Sequence, residues 1–190
     1  KELQSIFERT YGAIRRRDIL PTQALRAEDK QQLLARLEPA EEYVLVDGYN
    51  IIFAWDELSA IARDNLDAAR HILMNLLCNY QAYRGCALIL VFDAYKVPEG
   101  LGSVEKYHNI HIVYTKQAET ADQYIERVTY ALAGRRRRVR VATSDNLEQL
   151  IILGHGAERV SAQSFHDEVQ AVQQEISRIV QRNNQKNAEI

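Results

Sequence analysis

No apolar stretch in the chain approaches the roughly 20 residues that span a bilayer, and no signal peptide opens it. No membrane-spanning helix is therefore expected within these residues, and the expected compartment is the cytoplasm. Cysteine is scarce: only Cys78 and Cys86 occur, eight positions apart and without metal-type spacing, as free thiols of a reducing compartment are. Excess charge is lacking too. A formal net charge of -2 argues against indiscriminate binding to nucleic acid, although two local basic runs, "RRR" at 15–17 and "GRRRRVR" at 134–140, leave room for a basic face. There is no Gly-rich phosphate loop of the Walker type, no internal repeat and no low-complexity tract. The first residue is Lys1 and the only methionine is Met74, so the chain reads as part of a longer polypeptide.

What is present is a globular composition, 46% hydrophobic and 26% charged, on a length that suits one domain plus an extension. From Tyr43 onward, short apolar runs alternate with segments of helical periodicity. "YVLVD" (43–47), "ALILVFD" (87–93), "IHIVYT" (110–115), "RVRVATSD" (138–145) and "AERVS" (157–161) read as strands. The first two are almost continuously apolar, as strands covered on both faces are. Residues 64–84 and 119–133 carry apolar side chains at three-four spacing and are closed by Gly85 and Gly134, while a short helix is expected over 145–153. The alternation predicts a three-layer α/β/α domain with a mostly parallel sheet. Phe165, Val169, Val172, Ile176 and Ile179 predict a C-terminal helix with one apolar face, and the polar residues 183–190 read as a frayed tail. Residues 1–42 offer few apolar positions and read as a helical connector.

In such sheets ligands bind beyond the carboxyl ends of the strands, where the strand order reverses. The chain delivers acids to that rim. Asp47 and Asp93 end the first two strands, Asp145 follows the fourth, and Glu119, Asp122 and Glu126 repeat along one helical face after the third. Any one of these has an ordinary explanation as a helix cap or a partner of a helix dipole. Together they repel: two unit charges about 4 Å apart cost roughly 4 kcal/mol at an effective dielectric near 20. Oxygen-only ligands without His or Cys suit a hard cation, Mg²⁺ or Mn²⁺, which activates water and steadies charge on a phosphate. Asn50 is placed to hydrogen-bond a carboxylate or the scissile phosphate, and Gly48 to permit a tight exit from the strand. Thr143 and Ser144 suit phosphate or water, and suit helix capping equally well.

Four segments, "VLVDGYNIIFAW", "VFDAYKVPEG", "VYTKQAETADQYIE" and "VATSDNLEQLIILGHGAERVSA", resemble in order those of YacP-like NYN domains, which are PIN-like ribonucleases. The resemblance covers roughly residues 43–182. It implies a metal-dependent endoribonuclease acting on single-stranded RNA, similar to ribosome-associated enzymes that cleave mRNA during translation. On that resemblance Asp47 and Asp122 are the essential metal ligands, Asp93 and Asp145 complete the acidic pocket, and Asn50 is its polar neighbour. Arg70 and Gln149 also match, Arg70 as an anchor for a carboxylate or backbone phosphate. Tyr95 departs from the pattern, since relatives often carry histidine there. The stretch "KELQSIFERTYGAIRRR" is similar to the tail of elongation-factor-G-like ribosomal protection GTPases. Two other readings stay open: an RNA- or ribosome-binding module with a vestigial acidic pocket, and a phosphatase of small esters. The second is disfavoured, because an aspartate nucleophile generally needs a second acid two residues on, and that position is Tyr49.

Overall fold

The computed structural model describes residues 40–93, 104–115, 119–133, 137–144 and 156–188. Six strands, β1 (Glu42–Asp47), β2 (Ala87–Phe92), β3 (Val104–Tyr107), β4 (Ile110–Tyr114), β5 (Arg138–Thr143) and β6 (Glu158–Ser161), form one sheet in the order β3-β4-β2-β1-β5-β6. All neighbours are parallel except the edge pair β3–β4. Five described helices complete the fold: α1 (Gly48–Ala54), α2 (Asp56–Asp64), α3 (Leu66–Arg84), α4 (Ala121–Ala133) and α5 (Ala162–Ala188). The expected three-layer α/β fold with a mostly parallel sheet is what the chain adopts. None of the described helices is long and apolar enough to cross a membrane.

The two-residue period of β1 explains the layering. Val44 and Val46 point into one apolar cluster, with Ile51, Trp55, Leu58, Leu73, Leu77 and Phe165 from α1, α2, α3 and α5. Tyr43 and Leu45 point into the other, with Ile125, Val128 and Leu132 from α4. Each fully buried aliphatic side chain contributes about 1.5–3 kcal/mol, so the central strands are anchored from both faces. Local signals set the helix ends. Asn65 caps α3 by accepting from the Ala68 N–H at 3.0 Å, and Gly85 closes it in the left-handed conformation, φ 69°, with its N–H on the Gln81 carbonyl at 2.8 Å. Trp55 divides α1 from α2, and its buried indole N–H donates to the Ala162 carbonyl at 2.9 Å, tying this corner to α5.

Several expectations change. β3 is a short, mostly polar edge strand with no alternation long enough to read, joined to β4 by a turn in which His108 takes φ 50°. α5 is helical through Ala188, so the polar residues beyond 182 continue the helix rather than fray at once. The basic run is largely used within the chain. Arg137 donates to the Tyr43 hydroxyl, Arg138 pairs with Glu158, and buried Arg140 holds Glu168 at 2.6 and 3.0 Å. Each of these three arginines thus has a partner within the chain, with Arg138 still largely exposed. The expected helix at 145–153, the connector before residue 40 and Tyr95 lie outside the described residues.

Candidate active site

β1 stands where the sheet changes direction: the chain winds outward through β2 and β4 on one side, then returns to β5 and β6 on the other. The gap between the ends of β1 and β5 is thus the switch point at which doubly wound sheets bind ligands. Asp47 is the last residue of β1 and only 4% exposed. It is also the cap of α1. Its Oδ1 accepts the Asn50 backbone N–H at 3.0 Å, and its Oδ2 accepts the Asn50 Nδ2 at 2.9 Å. The same Nδ2 donates to the Thr143 hydroxyl at 3.2 Å. The asparagine side chain therefore bridges the ends of β1 and β5, and with its own backbone N–H it fixes both oxygens of the buried acid.

Two further acids face Asp47. Asp122, in the first turn of α4, comes within hydrogen-bonding reach of it, and Asp93 acts on it through space. Burial is the largest influence on Asp47, the hydrogen bond from Asn50 opposes it, and the two like charges add to it; together they push its carboxyl up to about 7. Asp93 also has a second task. Its Oδ1 accepts the N–H of Ala121, the first residue of α4, at 2.7 Å, and so seats the helix that carries Asp122.

Of the four residues expected as metal ligands, three lie among the described residues. Asp47 and Asp122 form a close pair, and Asp93 stands by as a neighbour engaged with the helix end. Asp145 and Gln149 lie outside the described residues. Among the described residues no three His, Cys, Asp or Glu side chains are grouped as a ligand set. Glu119 falls before α4 and pairs with Arg127 at 2.6 Å, so it is neutralised rather than shared with the pocket. Thr143 is fully buried and Ser144 is exposed at the bend after β5.

Arg70 meets a carboxylate, but one outside the acidic pocket. Its guanidinium donates to the Tyr49 hydroxyl at 2.9 Å and pairs with Asp67, and it does not reach a pocket carboxylate by any described hydrogen bond. Tyr49 was not singled out by sequence, since nothing in a separation of 21 residues shows that an arginine will meet it. Its ring packs on Phe92 at 5.1 Å and on Phe53 at 6.3 Å. Gly48 is required for a reason other than a tight turn: a Cβ there would stand 2.3 Å from Phe92 Cε1. Only glycine lets α1 leave the strand over that ring.

A buried aspartate at the switch point, a second carboxylate from the following helix and an asparagine bridging two strand ends define a PIN-like α/β domain. The family model described as "YacP-like NYN domain" matches residues 44–190, and the chain belongs to that family. It is 39% identical over 141 residues, 74% of this chain and 82% of the relative, to the "Uncharacterized protein YacP" of Bacillus subtilis (strain 168). Among solved structures it resembles Rae1 (YacP) from Bacillus subtilis with a TM-score of 0.69 and 37% identity, covering 77% of this chain and 84% of that one. A mutant of the same protein gives 0.67 and 36%, covering 76% and 84%.

Proposed function

We propose that the chain is a metal-dependent endoribonuclease that cleaves single-stranded RNA. The observation that carries this reading is the placement of Asp47 beside Asp122 at the switch point, with Asp93 adding a third negative charge. Membership of the NYN family supports a nuclease or RNA-related role. The donor chemistry fits Mg²⁺ or Mn²⁺: all oxygen, with burial first and the neighbouring like charges after it holding Asp47 at about 7 until an opposing charge arrives. A magnesium-type ion keeps most of its waters and takes one or two protein carboxylates, so the pair suffices and a closed cage is not needed.

Asp47 and Asp122 would hold that ion. When bound, it supplies an activated water and stabilises charge on the phosphate. The chain's own part is orientation. Asn50 locks both Asp47 oxygens, Thr143 fixes Asn50, and Asp93 fixes the start of α4. The ribosome, as the place where the RNA is met, belongs to the same proposal and rests on the resemblance to ribosome-associated enzymes.

The test is cleavage of end-labelled single-stranded RNA by purified protein with Mg²⁺ or Mn²⁺, with and without EDTA. Asp47→Asn, Asp122→Asn and chelation should each reduce cleavage by at least a hundredfold. Full cleavage by both variants removes the mechanism, and binding without turnover across metals and RNAs favours a binding module instead. Mapping cut sites on translating ribosomes, wild type against Asp47→Asn, tests the ribosomal setting.

A further inference from the structure

We propose that Asn50 reads the sugar of the substrate: its Oδ1 accepts a hydrogen bond from the ribose 2′-hydroxyl on the 5′ side of the scissile phosphate, and so selects RNA over DNA. The inference rests on the nuclease reading above and deepens it, from the reaction to the discrimination of its substrate. A water activated by an ion attacks phosphorus without help from the 2′-hydroxyl, so the acid pair alone would accept either nucleic acid. The 2′-hydroxyl is what lets a protein tell RNA from DNA, and some other group must meet it.

A carboxamide has two N–H donors and one carbonyl acceptor. In Asn50 both donors are engaged within the chain: Nδ2 gives one hydrogen bond to Asp47 Oδ2 at 2.9 Å and one to the Thr143 hydroxyl at 3.2 Å. The carboxylate fixes which end of the amide faces inward. The opposite orientation would set Oδ1 against Asp47 Oδ2, acceptor against acceptor. The backbone N–H of Asn50 is engaged too, on Asp47 Oδ1 at 3.0 Å. Asn50 therefore has no donor left for a phosphate oxygen. Of the two roles open to it in the sequence, carboxylate partner or phosphate partner, the donors serve the first.

Oδ1 is the atom that remains. Among the described residues no donor meets it. Asp47 is 4% exposed and Thr143 is fully buried, whereas Asn50 is only half-buried, so the carbonyl end is the open end of the carboxamide. It stands one amide's width from the nitrogen that holds Asp47. An acceptor in that place calls for a donor from the substrate. Phosphate offers none, and base donors change with sequence. Every RNA phosphodiester, by contrast, carries a 2′-hydroxyl on the carbon next to its 3′ oxygen. Because the amide is locked from two strand ends before any ligand arrives, the contact costs little ordering.

The test measures binding, not turnover, so that it stands apart from the nuclease reading. A fluorescein-labelled ten-nucleotide single-stranded RNA is titrated against the full chain carrying Asp122→Asn, which removes turnover and one repelling charge, alone and combined with Asn50→Ala. Position by position, the 2′-hydroxyl is replaced by fluorine, which keeps the size and loses the O–H donor, or by an amino group, which keeps a donor. At one position fluorine should weaken binding by the parent about three- to tenfold, the worth of one neutral hydrogen bond. The amino group there should stay within twofold of RNA. With Asn50→Ala added, the fluoro and hydroxyl strands should bind alike. The scan on the parent leaves Asn50 intact, so it decides even where Asn50→Ala folds poorly. No fluorine-sensitive position in the parent, or a sensitivity that survives Asn50→Ala, overturns the proposal and leaves the cleavage result standing on its own. Insensitivity to fluorine together with weakened Mn²⁺ binding by Asn50→Ala also overturns it, and gives Oδ1 to a water of the ion instead.

Discussion

The Asp93 carboxylate accepts a 2.7 Å hydrogen bond from the Ala121 N–H, although 28 residues separate them. A residue at the end of one strand thereby caps a helix that begins far along the chain, and the next residue of that helix is Asp122. The cap thus joins the end of β2 to the turn that carries Asp122.

Asp93 should accordingly respond to the acceptor rather than to the charge alone. Asp93→Asn keeps an oxygen for the Ala121 N–H and should lose well under 1 kcal/mol, whereas Asp93→Ala should lose about 1 kcal/mol more. Urea denaturation gives both values. RNA cleavage should fall further for alanine than for asparagine. Equal stability of the two would show that the cap is unimportant.

Gly48→Ala tests the close approach to Phe92. Alanine is the better helix former by up to about 1 kcal/mol, so propensity alone would stabilise α1. The clash at 2.3 Å, with a ring that is fully buried, should reverse the sign and destabilise by about 1–3 kcal/mol. Adding Phe92→Leu should recover part of the loss in a thermal melt, since it removes the atoms that the new methyl meets. Stabilisation by Gly48→Ala would contradict the packing.

The buried Arg140 guanidinium, hydrogen-bonded to Glu168, holds that carboxyl below the usual glutamate range, burial opposes the shift, and the Tyr80 hydroxyl adds to it. Burial, and after it the same carboxylate, raise the Tyr80 phenol. Because the folded Glu168 value is depressed, its contribution to stability is complete above the ordinary glutamate range and is lost as pH falls through the lower folded value. Glu168→Gln should flatten the acid limb of stability against pH in that window. At neutral pH it should destabilise by on the order of 2 kcal/mol, because the buried Arg140 loses its nearer counter-charge and keeps only Glu158 at 3.6 Å. An acid limb unchanged by the substitution would show that other carboxylates dominate it.

Asp47 has the opposite sign. Its ordinary value is 3.8 and the folded, metal-free value is about 7. The unfolded chain therefore releases this proton first, so stability falls as pH rises from about 4 to about 7 and is level above. Asp47→Asn should remove that fall. Chelated wild type and variant should differ little at pH 4.5, while at pH 8 the variant should be more stable by on the order of 3 kcal/mol. A less stable variant at pH 8 would mean that Asp47 is held by compensating positive charge.

Much of this was legible in the sequence because it is local. The continuous apolar runs of β1 and β2, the three-four spacing of α3 and α4, and Gly85 as a stop each follow from periodicity or backbone freedom, and each is found. The acids at strand ends were legible for the same reason, since parallel topology fixes where strand ends go. What stayed hidden depends on contacts between distant segments. Glu119 looked like a pocket residue until Arg127 claimed it, and which carboxylate Arg70 would anchor, that of Asp67, could not be read from spacing alone. Arg140 read as part of a basic surface because a sequence does not show that Glu168 and Tyr80 will close over it. β3 escaped because four mostly polar residues at a sheet edge carry no period worth counting.

The central claim is that Asp47 and Asp122 form one site for a divalent cation. The most direct measurement is a titration of the metal-free protein with Mn²⁺, in which free Mn²⁺ is followed by its paramagnetic resonance signal. The account predicts saturable binding by the wild type, weakened at least tenfold by Asp47→Asn and by Asp122→Asn alike, with little further loss in the double variant. Binding that survives both substitutions unchanged would contradict it.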